Sequence, residues 1–192
     1  RSVLYKDERL DLNDISVQSY LNQAGNKIFN FNSALVDARI EGSFKYKKFI
    51  ADALAMLNEY EGIIKNRPAN NTEVFYRKGT RKDNEYKVSF DAKVKNINPL
   101  LDLIDQPIYL SKNTEIDAEL QFGLNEMILV NTHVDTMAYK DKIFSNLELD
   151  ITAIKTKGRP DVTGEVFLSS KTQHWFEGID TEKLLVEGLW DK

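Results

Sequence analysis

The sequence predicts a mainly β protein, an antiparallel meander with one amphipathic helix at about 46–64 and a short helical turn at about 98–104. Three observations predict it. Apolar and polar residues alternate with period two over most of the chain, the period of a strand with one dry and one wet face. The strands follow one another across short polar connections with no helix between most of them, which favours a meander over a parallel α/β sheet. One face is apolar throughout and the other charged, so a single layer must close, fold into a sandwich or curve into a trough.

The elements follow in order. Leu10, Leu12, Ile15 and Val17 suggest one or two strands near the start. Val36, Ala38, Ile40 and Phe44 share a face opposite Asp37, Arg39 and Glu41. From Tyr46 to Ile64, the residues Tyr46, Phe49, Ile50, Ala53, Leu57, Tyr60 and Ile64 recur at intervals of three and four, one stripe of a helix. Lys47, Lys48, Asp52, Asn58 and Glu59 take the other side, and Pro68 helps to stop the helix. That mixed charge favours packing on a sheet over lying on a membrane surface, with Phe49, Leu57 and Ile64 buried. Arg77 to Asn84 (RKGTRKDN) holds no apolar residue and is expected to be a loop.

Next, Val88, Phe90, Ala92 and Val94 alternate with Lys87, Ser89, Asp91, Lys93 and Lys95. The rhythm breaks at Asn98-Pro99, an N-cap followed by proline at the first helical position, before Leu100, Leu101, Leu103 and Ile104. Ile116, Ala118, Leu120 and Phe122 oppose Glu115, Asp117, Glu119 and Gln121. After a turn at 123–126 come Ile128, Val130, Thr132 and Val134, then Leu147, Leu149 and Ile151 against Glu148 and Asp150. Val162, Val166 and Leu168, and finally Leu184, Val186 and Trp190, complete the series.

Composition bounds the function. The 192 residues are enough for a core, 42% of them hydrophobic and 29% charged, and the net charge of −4 does not provide the basic patch that nucleic acid requires. No apolar run approaches the ~20 residues that span a bilayer. Cysteine is absent, which excludes a disulfide frame and fits a reducing or an oxidising compartment equally. The chain opens with Arg1-Ser2-Val3, with no signal peptide, and is expected to be a piece of a longer protein.

The residues carry no enzyme signature: no P-loop, GxGxxG, GxSxG or HExxH is present. With 30 Asp and Glu, carboxylate pairs arise by chance. Of the 2 histidines, His133 falls on a polar strand face, and His174 lies beside Trp175 and Phe176, in a packed strand-end cluster or a ring-stacking site for sugars. Neither is expected to be catalytic or to bind a metal, and no cofactor is implied. Asn70-Asn71-Thr72 matches a glycosylation sequon, a weak pattern.

Taken together, Leu35 to Phe44 (a Leu-Val-Asp-Ala-x-Ile-x-Gly-x-Phe strand), the helix Tyr46 to Ile64, Lys87 to Leu101 (a charged-alternate strand into Asn-x-x-Pro-Leu-Leu) and Thr114 to Phe122 resemble the TamB family of translocation and assembly proteins, in its Bacteroidetes form. The likeness covers roughly residues 30 to 190 and is a pattern of repeats. It implies a long curved half-pipe, β-taco-like, within an AsmA-like protein that bridges the two membranes of diderm bacteria. The whole of 1–192 is then a single segment of a larger repetitive β protein, strand-rich over 1–44, helical over 46–64 and a β meander over 73–192. It further implies a periplasmic location with an inner-membrane anchor absent from this sequence. The implied partners are phospholipid acyl chains and an outer-membrane assembly protein of the BamA/TamA type, and the implied activity is phospholipid conduction or support of outer-membrane protein assembly.

Each strand supplies several apolar side chains to one face, and too few helices exist to cover them. Val88, Phe90, Ala92, Val94, Ile116, Ala118, Leu120, Phe122, Ile128, Val130, Leu147, Leu149 and Ile151 are therefore expected to line an apolar groove for acyl chains. The alternatives are a carbohydrate- or protein-binding β-sandwich of a secreted protein, using Trp175, Phe176 and Trp190, and an enzyme. The first two differ in the fate of the apolar face: an open trough, or two sheets closed on each other.

Overall fold

The computed structural model describes the backbone of residues 2–5, 8–11, 15–65, 85–103, 105–156, 162–176 and 178–191, and the side chains of 15–60, 85–102, 105–156, 162–176 and 178–191. The expected loop at 77–84, Ile64 as a core side chain and the sequon at Asn70 lie outside these residues. A hairpin of β1 (Ser2–Tyr5) and β2 (Glu8–Asp11) stands apart from the main sheet. That sheet takes β3 (Ser16–Leu21), β4 (Lys27–Asn32), β5 (Val36–Gly42), β6 (Tyr86–Val94), β7 (Ile108–Leu110), β8 (Thr114–Phe122), β9 (Asn125–Tyr139), β10 (Lys142–Thr156), β11 (Val162–Phe176) and β12 (Ile179–Asp191). It is a 10-stranded open antiparallel sheet in the order β3-β4-β5-β6-β8-β9-β10-β11-β12, with β7 beside β9. The fold is the predicted mainly β meander, open rather than closed into a barrel.

Helices interrupt the meander without changing its order. Helix α1 (Tyr46–Lys65) lies between β5 and β6, which pair directly, and α2 (Asn98–Leu103) between β6 and β8, which also pair. The second excursion has a structural reason. β9 is 15 residues long and β8 only 9, so β8 leaves the far end of β9 bare, and β7 pairs with it there from Ile108↔Tyr139 to Leu110↔Met137. Asn98 does not act as the expected N-cap. Its Nδ2 donates to the Leu110 carbonyl and its Oδ1 accepts the Leu110 N–H, both at 2.9 Å, which ties α2 to β7.

The registers sort the inner face into rungs that cross the strands. The first rung is Tyr86, Phe122, Glu126, Lys155 and Val162; the second holds Lys27, Gly42, Val88, Leu120, Ile128, Ala153, Gly164 and Trp190. The third runs Ser19, Phe29, Ile40, Phe90, Ala118, Val130, Ile151, Val166. The fourth runs Val17, Phe31, Ala38, Ala92, Ile116, Thr132, Leu149, Leu168, Val186. The fifth contains Val36, Val94, Thr114, Val134, Leu147 and Ser170.

Helix α1 lies across the first two rungs. Phe44, Met56, Tyr60, Val88, Phe122, Ala153 and Val162 form the buried core, with Phe49, Ala53, Leu120, Ile128 and Trp190 packed against it. Gly164 makes room for the cap on this core: a Cβ there would meet Trp190 Cζ2 at 2.0 Å, so the indole lies directly over the glycine.

The helix is rotated from its predicted setting. Leu57 is 56% exposed and Ile50 56%, while Met56 is 1% exposed and Glu59 is buried. The docked stripe is Phe49, Ala53, Met56 and Tyr60, spaced i, i+4, i+7, i+11, with Met56 and Tyr60 buried and Phe49 and Ala53 half-buried against them. The expectation of a buried Leu57 is therefore wrong. The helix has a wide apolar arc, and a buried Lys155 draws Glu59 down to the sheet, their atoms 2.7 Å apart. This turns Leu57 outward.

Beyond the fifth rung the strand alternation changes phase. The registers skip Asp135, Asn146, Lys171 and Lys183, which fall in one row, and Asn146 and Lys183 have φ of 45° and 60°. Left-handed backbone at those two sites reverses the pleat. Ser170 and Gln173, three apart, are consequently both buried, where strict alternation would place them on opposite faces.

Candidate functional site

The apolar face is covered unevenly along the strands. The second rung lies under α1, where Val88 is 0% exposed. The fifth rung is also buried, through Val94, Thr114, Val134, Leu147 and Ser170. Between them the third and fourth rungs are only half-buried from β4 to β11, Ala92 apart. The result is a trough two rungs wide that runs across the strands.

Helix α1 forms one wall of this trough. Asp52 accepts a 2.7 Å hydrogen bond from the Tyr86 hydroxyl and Glu59 pairs with Lys155, so this flank of the helix points to the first rung and the strand ends. The opposite flank carries Tyr46, Ile50, Leu54 and Leu57 and faces the third rung. Tyr46 shows the direction: its ring packs edge-on to Phe29 of that rung at 6.3 Å, and its hydroxyl lies 2.5 Å from Ser19 Oγ of the same rung. Ile50, Leu54 and Leu57, exposed on this flank, are a second apolar stripe beside the docked one.

Every residue expected to line the groove lies on this one face. Phe90, Ala118, Val130 and Ile151 form the third rung, Ala92, Ile116 and Leu149 the fourth, and Val94 and Leu147 the buried fifth. Val88, Leu120, Phe122 and Ile128 are under α1, in the core rather than in an open groove. That covering is a correction: the helix reaches further over the sheet than its apolar stripe suggested. Missing from the expected set are Phe29 and Phe31 of β4, Ile40 and Ala38 of β5, and Val166 and Leu168 of β11, which extend the same rungs. Phe29 and Phe31 against Asn30 and Asn32 carry the alternation that marks them. The helix flank had no such signal, because only docking decides which apolar stripe is left over.

On the outer face several charged side chains are paired. Lys87 pairs with Glu119, Lys93 with Glu115 at 3.6 Å and Arg39 with Glu41 at 2.6 Å. An open depression of about 270 Å³ lies there among Asn30, Arg39, Asp91 and Asp117. Asp91 and Asp117 are direct cross-strand partners, and the Asp91 carboxyl is raised above its ordinary value by burial first and then by Asp117.

His133 is on this outer face, 3.4 Å from Asp135 and 3.9 Å from Glu148. His174 Nδ1 lies 2.6 Å from Asp180 Oδ1 at the far end of β11. Among the described residues no group of His, Cys, Asp and Glu converges as a metal set, and no helix is long and apolar enough to cross a membrane. The aromatic residues expected to act together are separated. Trp190 belongs to the α1 core, opposite Gly164 near the start of β11, whereas Trp175 and Phe176 are at the other end of that strand, Trp175 edge-on to Phe144 at 5.5 Å.

Compared with family models, curated proteins and solved structures, the chain matches none of them.

Proposed function

We propose that the trough between α1 and the fifth rung holds hydrocarbon chains, and that the protein is a segment of a TamB-like, AsmA-like envelope bridge that conducts phospholipid or supports outer-membrane protein assembly. The observation that carries this reading is the pair of half-buried apolar rungs left open between two buried ones. A large apolar surface without cover marks a binding site on a folded chain. Its chemistry selects the occupant. The third and fourth rungs offer almost no polar side chain beyond Ser19 and Thr132, and the Thr132 hydroxyl already donates to the Glu115 carbonyl. The backbone groups of a sheet interior are spent in the ladder, so a peptide laid on this face would find no partners for its own N–H and C=O groups. A hydrocarbon chain needs none. Each methylene removed from water contributes about 0.8 kcal/mol.

The closed sandwich, the basis of the carbohydrate-binding alternative, finds no support in one open sheet whose tryptophans are apart. The test is photo-crosslinking from Ala118 and Ile151 on the floor and from Asp117 and Glu148 on the outer face, with lipid extraction as readout. Lipid adducts are expected from the floor alone and are expected to fall in Phe90→Glu and Leu149→Glu. Equal adducts from both faces, or none from a folded protein, would overturn the reading.

A further inference from the structure

Among the described residues, one on the inner face from the second to the fifth rung is charged. It is Lys27, at the β4 end of the trough. Its Nζ lies 4.7 Å above the Tyr46 ring, and no carboxylate among the described residues pairs with it. Elsewhere in the described structure the inner-face charge is arranged differently. Lys155 of the first rung is neutralised by Glu59, and the outer-face lysines 87, 93 and 95 each face a carboxylate. Lys27 is held instead by an aromatic ring, which restrains an ammonium group without neutralising it. The Tyr46 hydroxyl and Ser19 Oγ, 2.5 Å apart, stand at the same corner.

We infer that this corner is the headgroup anchor of the trough: Lys27, with Tyr46 and Ser19 beside it, receives the phosphate of a phospholipid whose acyl chain runs along the Ile50, Leu54 and Leu57 flank of α1. The inference rests on the reading of the trough as an acyl-chain site. The geometry sets the direction. The helix starts at Tyr46 near β4 and reaches Lys155 of β10 at Glu59, a span of roughly 24 Å at about 4.8 Å per strand. A chain lying in the trough with its head at Lys27 therefore follows the helix away from the β3 edge. A partly exposed cation beside an apolar surface attracts a phosphate as a point charge, and a hydroxyl supplies a further donor.

The test uses the whole chain and two fluorescent probes of equal acyl length, lysophosphatidylglycerol and the uncharged monoacylglycerol. Wild type is expected to bind the phosphate-bearing probe about five- to tenfold more tightly. Lys27→Gln should bring the two affinities together, and Lys27→Arg, which keeps the charge, should retain most of the difference. If Lys27→Gln binds both probes and keeps the wild-type preference, the headgroup assignment is overturned while the trough stands. If wild type binds neither probe, the acyl-chain reading fails and the inference fails with it.

Discussion

Lys155 Nζ lies 2.7 Å from Glu59 Oε2, an ion pair with side chains 2% and 10% exposed that joins β10 to α1 across 96 residues of chain. It sets the rotation of α1, and through it which apolar stripe faces the trough. Beside it the Tyr60 hydroxyl is buried without a hydrogen-bond partner and titrates above its ordinary range, through burial and then the Glu126 and Glu59 charges. Removing one partner of a buried pair strands the other charge. Lys155→Met or Glu59→Gln should each cost about 3–5 kcal/mol in urea unfolding, and the double variant Glu59→Leu with Lys155→Met should recover most of that loss. Additive losses would show that the pair does not act as a unit.

The two adjacent helix residues Met56 and Leu57 should respond in opposite ways. Met56 is 1% exposed, so Met56→Ala should cost about 2–5 kcal/mol. Leu57 is 56% exposed, so Leu57→Ala should stay within about 0.5 kcal/mol. Equilibrium denaturation of both variants checks the helix rotation, and a larger loss for Leu57 would reverse it.

Gly164 should resist any side chain. A Cβ there would approach Trp190 Cζ2 to 2.0 Å and Nε1 to 2.7 Å, so the indole must leave the α1 core. In a Trp175→Phe background, Gly164→Val should red-shift the remaining tryptophan emission and destabilise the fold by about 1–3 kcal/mol. An unshifted spectrum would place Trp190 elsewhere.

On the outer face, Asp91 gives a pH test. Its carboxyl is raised in the folded state, so the native protein binds that proton more tightly than the unfolded chain. The charged form therefore weakens the fold at neutral pH, and stability is regained as pH falls through the raised value toward the ordinary one. Asp91→Asn should melt higher than wild type at pH 7, and the difference should shrink as the pH falls toward 4. A constant difference across that range would point to a cause other than titration.

Much of the sheet was legible because strand alternation is a local property. Val88, Phe90, Ala92 and Val94 declare a face by their spacing alone, and the registers put Leu120, Ala118 and Ile116 on the same one. A lysine before Ile28 and Phe29 gives no local sign that it will be an inner-face cation without a carboxylate partner among the described residues. That follows only once pairing with Gly42 fixes its side.

By itself, then, the sequence determined the class of fold, the helix near 46–64 and the dry face of those strands whose alternation it marked, since period acts over a few residues. The tertiary structure alone decided how far α1 covers that face, that Met56 rather than Leu57 is core, and where the pleat reverses at Asn146 and Lys183. The physical reason is that α1 has an apolar arc wider than its docking surface. Any of several rotations would bury enough carbon, and the choice fell to one long-range contact, Glu59 with Lys155, which no local pattern encodes.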